Sequence, residues 1–166
     1  MPEKDKIISN KVKQDGVFDF KEFYKFCYTW LSDEGYFVSE DKYAEKIIGD
    51  AKEIEIKWVA ERKISDYFKF QIKIEWFITG MKNVEVEKMG KKVKMNKGTV
   101  EIKAAGYLIK DYEARWETSG FMKFLRGIYD QYLIKARIES YEDKLVGEID
   151  DFLGEIKSFL MLEGKH

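Results

Sequence analysis

The residue types that most often carry catalysis are scarce in this chain. Its single histidine is the last residue, His166, and its single cysteine, Cys27, lies in an apolar stripe at helical spacing. Catalysis by a histidine general base or a serine–histidine–aspartate triad requires an ordered histidine, and so does a histidine metal cluster. Because chain ends are usually poorly ordered, His166 is not expected to serve any of these sites. Glycine-rich phosphate loops and C-x-x-C or H-E-x-x-H patterns do not occur. We therefore predict no catalytic residue, no metal site and no cofactor, with Cys27 as a small buried hydrophobe.

Charged and aromatic side chains concentrate in residues 111–117, D-Y-E-A-R-W-E. Arg126 and Asp130, four residues apart on the next predicted helix, could approach this segment. Two interpretations stay open: a buried arginine–carboxylate cluster, or the polar rim of an apolar pocket whose arginines hold an anionic headgroup. In the second case the ligand-binding residues are Tyr112, Arg115, Trp116, Arg126 and Asp130. An enzyme would have to rely on carboxylates and tyrosine, for example Glu113 or Asp130 with Tyr112. No spacing requires this, so a non-enzymatic role is favoured.

Two runs of like charge are typical of solvated surfaces. The acidic run Glu148, Asp150, Asp151 and Glu155 lacks the spacing of a calcium loop and indicates a wet helix face. Five lysines between Lys88 and Lys97 could meet a phosphate backbone or an anionic lipid. Two of them face glutamates in the hairpin described next, so a solvated edge is favoured and a nucleic-acid partner is not expected.

The centre of the chain, residues 52–109, alternates apolar and polar side chains, which is typical of an antiparallel sheet with one buried face. A hairpin turn at Met89-Gly90 would pair Val86 with Val93 and Glu87 with Lys92. A second turn is predicted at Lys97-Gly98, placing Met95 opposite Val100. Upstream, Ile7–Val12 predicts a first strand that ends at an Asp15-Gly16 turn.

Along the chain, one helix is predicted before this sheet and helical structure is predicted after it. Asp19 is a helix N-cap with Glu22 three residues later, and Gly35 is a natural stop. The segment 36–48 is either a short helix or a strand that leads to a Gly49-Asp50 turn. Residues 120–163 have helical periodicity over roughly 65 Å at 1.5 Å per residue, too long for a compact domain. We expect a break near Arg137–Tyr141.

These elements predict a single α+β domain covering residues 1–166. An antiparallel β-meander sheet has one face covered by a long C-terminal helix, with the N-terminal helix at one end or edge, a helix-grip-like arrangement. Hydrophobic residues make up 45% of the 166 and can fill one core, with Trp58, Phe70 and Trp76 against Phe152, Ile156 and Phe159. No apolar run approaches a membrane span, and Met1–Asp5 is not a signal peptide, so a cytoplasmic protein is expected.

Three runs carry a resemblance: Trp30-Leu31 through Gly35-Tyr36, Asp111 to Glu117, and Phe124 to Asp130. They resemble a group of uncharacterised archaeal proteins of similar length, and the richness in Lys, Glu and Ile is compatible with such a source. That resemblance implies no activity. Separately, the order of helix, meander and long C-terminal helix is similar to the helix-grip architecture of START-like lipid-binding domains, a likeness of fold alone.

Two functions follow from these patterns. The first is a non-enzymatic binding domain with an apolar pocket between the sheet and the C-terminal helix, for a lipid or another hydrophobic small molecule. Twelve Phe, ten Tyr and six Met exceed the needs of a minimal core. The small residues Ala104 and Gly106 would leave space between the sheet and the helix that covers it. The alternative is a structural or regulatory homo-oligomer that associates through the long helix and exposed aromatic residues.

Overall fold

The computed structural model describes residues 3–110, 120–128 and 135–163. Within these residues, five strands form one antiparallel sheet in the order β1-β5-β4-β3-β2, and three helices accompany it. The fold is α+β and helix-grip-like, as predicted. In chain order the elements are β1 (Glu3–Phe18), α1 (Phe20–Asp33), β2 (Phe37–Ile48), β3 (Ala51–Lys63), β4 (Phe68–Lys88), β5 (Lys91–Lys110), α2 (Gly120–Ile128) and α3 (Lys135–Glu163).

The alternating centre forms strands β3, β4 and β5 with one buried face, which confirms the predicted periodicity. Side chains two residues apart lie on the same face of a strand, so apolar residues at every second position define the face that packs against the core. The even-numbered residues that are buried on this face are Ile54, Ile56, Trp58 and Ala60 on β3, Phe68, Phe70, Ile72, Ile74, Trp76 and Ile78 on β4, and Val100, Ile102, Ala104 and Leu108 on β5.

The hairpin between β4 and β5 turns at Met89-Gly90, as predicted. Val86 pairs with Val93 and Glu87 with Lys92. Both turn residues have positive φ, 52° and 76°, the combination that a two-residue turn of type I′ requires.

The second predicted turn, at Lys97-Gly98, is wrong, because β5 continues through it without interruption. Gly98 instead lies opposite Gly16 of β1 and against an irregularity of β4 near Gly80. A Cβ atom at Gly98 would lie 3.0 Å from the Thr79 carbonyl oxygen. The glycine therefore permits close approach of two strands. The Asp15-Gly16 turn is wrong for a related reason, because Gly16 lies inside β1, opposite Gly98.

Helix α1 begins and ends where its sequence predicts. The Asp19 carboxylate accepts the Glu22 backbone N–H at 3.3 Å, and Gly35 follows the last turn with φ 91°. The Gly35 N–H donates to the Ser32 carbonyl and the Tyr36 N–H to the Leu31 carbonyl, the paired bonds of a Schellman stop. The ambiguous segment 36–48 is a strand, β2, and it ends at the Gly49-Asp50 turn.

Helix α3 covers the sheet with its apolar stripe, as predicted, but the break expected near Arg137–Tyr141 is not there. Those residues lie within α3, where Ile138 and Tyr141 pack against the core and offset the low helix propensity of Ser140. Helix α2 ends at Ile128 and α3 begins at Lys135, and residues 129–134 between them lie outside the described residues. The buried residues of α3 are Leu145, Ile149, Phe152, Leu153, Ile156 and Leu160.

Helix α1 lies beside α3 on the same face of the sheet, next to the edge strand β2, and its aromatic side chains reach the middle strand. The Phe23 ring centroid is 5.3 Å from that of Trp76, on the middle strand, and 5.6 Å from that of Phe159. Trp30 and Phe152 join the two helices at 5.0 Å. The predicted core is confirmed, with Phe159 half-buried at its margin. None of the helices in the described part of the chain is both long and apolar enough to cross a membrane.

Candidate functional site

Four of the five residues predicted to line a ligand site lie outside the described residues: Tyr112, Arg115, Trp116 and Asp130. The fifth, Arg126, is half-buried in the last turn of α2. Arg126 is therefore the one predicted ligand-binding residue whose place in the structure is described.

A cleft of about 480 Å³ opens elsewhere, between the first turns of α1 and one end of the sheet. Every strand except β1 contributes to it, so it is a tertiary feature. Its volume falls within the range of small-molecule sites, roughly 300–1,000 Å³. The lining residues are Phe20, Lys21 and Tyr24 from α1, Tyr43 and Glu45 from β2, Lys52 from β3, Met81 and Asn83 from β4, and Asn96 from β5.

Two irregularities of strand pairing bring side chains to this cleft. In β2 the register shifts between Glu40 and Lys42, so Glu40 pairs with Trp58 whereas Tyr43 pairs with Ile56. Since Ile56 and Trp58 share the helix-covered face, the odd-numbered Tyr43 reaches the same face as the even-numbered Glu40. A bulge inserts one extra residue and reverses the side-chain phase beyond it.

Strand β4 has the same kind of irregularity between Thr79 and Lys82, where Gly80 adopts φ 62°. Ile78, before it, belongs to the buried even-numbered row. Beyond it, the odd-numbered Met81 and Asn83 line the cleft. An isolated glycine within a strand pattern is the sequence feature that indicates such a bulge, and Gly80 could have been recognised by it.

One wall of the cleft is aromatic, and glutamates hold its phenols in place. The Tyr24 hydroxyl donates to Glu40 Oε1 at 2.8 Å, and the Trp58 indole Nε1–H donates to the same oxygen at 3.1 Å. The Tyr43 hydroxyl donates to Glu45 Oε1 at 3.0 Å. Burial, followed by the hydrogen bond to its glutamate, raises the pKa of each tyrosine to about 12. Both phenols therefore remain neutral donors at neutral pH.

Two asparagines fix the start of α1 to the sheet at the opposite side of the cleft. Asn96 Oδ1 accepts the Phe20 backbone N–H at 2.9 Å, and Asn96 Nδ2 donates to Asn83 Oδ1 at 3.1 Å. Free N–H groups at a helix start need such partners. The position of Phe20 and Lys21 is thus set by the pairing of β4 with β5.

A second polar cluster, formed by Arg62, Glu148 and Tyr36, ties α3 to β3 and to the end of α1. Arg62 donates to Glu148 Oε1 at 2.5 Å, and the Tyr36 hydroxyl donates to Glu148 Oε2. Arg62 also donates to the Glu34 carbonyl oxygen and lies over the Tyr36 ring, 4.9 Å from its centroid. Burial and the Glu148 carboxylate raise the pKa of Tyr36 well above its usual range. Each polar side chain of the cluster has a hydrogen-bond partner within it, so we assign this cluster to stability.

That cluster corrects one sequence prediction about the acidic run. Glu148 does not belong to a wet helix face, because its side chain is only 11% exposed and is paired with Arg62. Asp150, Asp151 and Glu155 are exposed, as predicted. In the lysine-rich hairpin, Lys88 pairs with Glu163 of α3 at 3.3 Å.

The described part of the chain holds no metal-binding cluster, and its cysteine is buried. No group of three or more His, Cys, Asp or Glu side chains there could hold a metal ion. Cys27 is fully buried, as predicted, and burial raises the pKa of its thiol, which disfavours the nucleophilic thiolate.

Comparison with known proteins identifies no relative. No protein-family model, no curated protein and no solved structure matches this chain. The site must therefore be interpreted from its own geometry.

Proposed function

We propose that this chain is a non-enzymatic binding domain for a hydrophobic small molecule, and that the cleft beneath the start of α1 is its site. The observation that carries the proposal is a space of about 480 Å³ with an aromatic wall and a few convergent polar groups. Small-molecule sites combine apolar surface with a small number of polar groups that orient the ligand. The apolar surface comes from Phe20, Tyr43 and Met81. The polar groups are Asn83, Lys21 and Lys52.

The space beneath α3, where the sequence places the pocket, is occupied by the helix itself around Gly106. A Cβ atom at Gly106 would collide with Ile149 Cδ1 and lie 3.1 Å from Leu145 Cγ. The thinning of the sheet at Gly106 thus supports close packing of α3. The proposal therefore moves the ligand to the neighbouring cleft, on the same face of the sheet.

Binding of the neutral hydrophobic dye phenylnaphthylamine tests the proposal. We expect saturable fluorescence enhancement with one site per chain, and we expect Tyr43→Ala to weaken dye binding about fivefold to tenfold. The variant removes apolar contact surface from the cleft wall, at about 25 cal/mol per Å². Fluorescence titration of the purified chain provides the measurement, together with native mass spectrometry for a co-purified ligand.

Phe77→Ala is the matched control for Tyr43→Ala. Phe77 is also partly exposed, at 39% against 43% for Tyr43, but it belongs to the odd-numbered residues of β4 before the bulge and lies on the opposite face. It should bind the dye as the parent chain does. Absence of saturable binding, or equal weakening by both variants, would refute the proposed site.

A second candidate function is the homo-oligomer, which exposed apolar residues favour. Phe121 and Phe124, one turn apart on α2, are 68% and 64% exposed, and Met161 and Leu162 are exposed at the end of α3. Burial of these residues against another copy would remove apolar surface from water. Light scattering after size exclusion should then show a mass that rises with protein concentration. A constant monomer mass at high concentration would exclude this function.

A further inference from the structure

Positively charged side chains outnumber negatively charged ones in the lining of the cleft. Two cations, Lys21 and Lys52, face one anion, Glu45. Two carboxylates close to the lining residues, those of Asp19 and Glu40, accept hydrogen bonds from neutral donors. Asp19 caps the Glu22 N–H, and Glu40 accepts from Tyr24 and Trp58. The lining side chains, counted alone, carry a net charge of about +1 next to the aromatic wall.

Glu45 does not neutralise both lysines. Its Oε1 accepts the Tyr43 hydroxyl at 3.0 Å, whereas its Oε2 lies 3.8 Å from Lys52 Nζ, near the limit for an ion pair. Lys21 has no salt-bridge partner among the described residues. A lysine ammonium carries three donors, so both lysines retain donors for another acceptor.

We infer that the ligand is an amphipathic anion, with an apolar body and one carboxylate, sulfonate or phosphate oxyanion. The apolar body would lie against Phe20, Tyr43 and Met81, and the oxyanion would accept hydrogen bonds from Lys21 and Lys52. This inference rests on the proposed function and adds the charge of the ligand to it. Charge complementarity between the two exposed lysines and an oxyanion favours an anion over a neutral molecule of the same shape.

Two dyes with the same aromatic body separate charge from shape. Anilinonaphthalenesulfonate carries a sulfonate that phenylnaphthylamine lacks. We expect the sulfonate dye to bind several-fold tighter, and we expect its advantage to shrink between about 20 mM and about 500 mM salt because the lysines are partly exposed. The double variant Lys21→Met, Lys52→Met should weaken binding of the sulfonate dye about threefold to tenfold while leaving the neutral dye within about twofold.

The matched control is Lys46→Met, Lys57→Met. It removes the same total charge from exposed lysines of β2 and β3 that do not line the cleft. Both dyes should bind it as they bind the parent chain, and binding of the neutral dye also reports that each variant is folded.

The outcomes distinguish the inference from the proposed function. If the neutral dye binds at the cleft but the sulfonate dye binds no tighter, or is unaffected by loss of Lys21 and Lys52, the inference is overturned and the binding domain stands. Equal weakening by the control pair would also overturn it, since long-range charge would then be the cause. If neither dye saturates a site, both proposals fail.

Discussion

Replacing Phe152 with alanine is expected to lower the free energy of unfolding by about 3–5 kcal/mol, the range for a large buried aromatic side chain. Phe152 is fully buried on α3, and its ring centroid is 5.0 Å from that of Trp30 on α1. The substitution would leave a cavity at the point where the two helices and the sheet meet. Urea unfolding followed by circular dichroism measures the loss.

Phe37→Ala is the control for this substitution, because it makes the same chemical change on β2, where the side chain is 76% exposed. It should change the free energy of unfolding by less than about 0.5 kcal/mol. A Phe152→Ala chain that unfolds at the urea concentration of the parent would show that α3 does not pack on the sheet through this face.

Removal of Arg62 is the second change with a large expected effect. Arg62→Met should cost about 2–4 kcal/mol, because it strands the largely buried Glu148 carboxylate without its cation. The side chains of Arg62 and Glu148 are 17% and 11% exposed, so residual solvent moderates the penalty of a fully buried charge. The Glu34 carbonyl oxygen also loses its donor. Chemical denaturation again supplies the measurement.

Two further variants identify the cause of that loss. Lys57→Met removes a cation from the same strand, where it is exposed and 4.0 Å from Glu55, and should be nearly neutral. Adding Glu148→Gln to Arg62→Met should recover part of the stability, since the amide still accepts from the Tyr36 hydroxyl but carries no charge. If the double variant is less stable than Arg62→Met alone, the stranded carboxylate is not the cause.

Local patterns were sufficient to predict most of the architecture. The alternation of β3, β4 and β5 predicts their buried face, because side-chain direction in a strand without a bulge depends only on position parity. The register at Met89-Gly90 follows from matching Val86 with Val93 and Glu87 with Lys92. The start and stop of α1 follow from Asp19 and Gly35, whose hydrogen bonds span only a few residues. All of these are short-range properties.

Glycines were the least reliable guide, because one residue type serves two purposes. Gly98 and Gly16 each follow a polar residue and predict turns, yet they face each other across β1 and β5. At Gly98 the reason is the close approach of the partner strand β4 at Thr79, whereas a Cβ at Gly16 would meet no atom within 4 Å. Nothing within a few residues of Gly98 distinguishes a turn from a site of close approach.

The sequence by itself determined the alternating strands of the centre, helix α1, the apolar stripe of α3 and the scarcity of catalytic residues, since these depend on composition and on neighbours along the chain. Only the tertiary structure decided where a ligand could enter. The cleft requires bulges in β2 and β4 that move Tyr43 and Met81 to the helix-covered face, and it requires Asn96 to hold the start of α1 above them. Such bulges arise from pairing between strands, so the side-chain phase beyond them is set by a partner strand and not by local alternation.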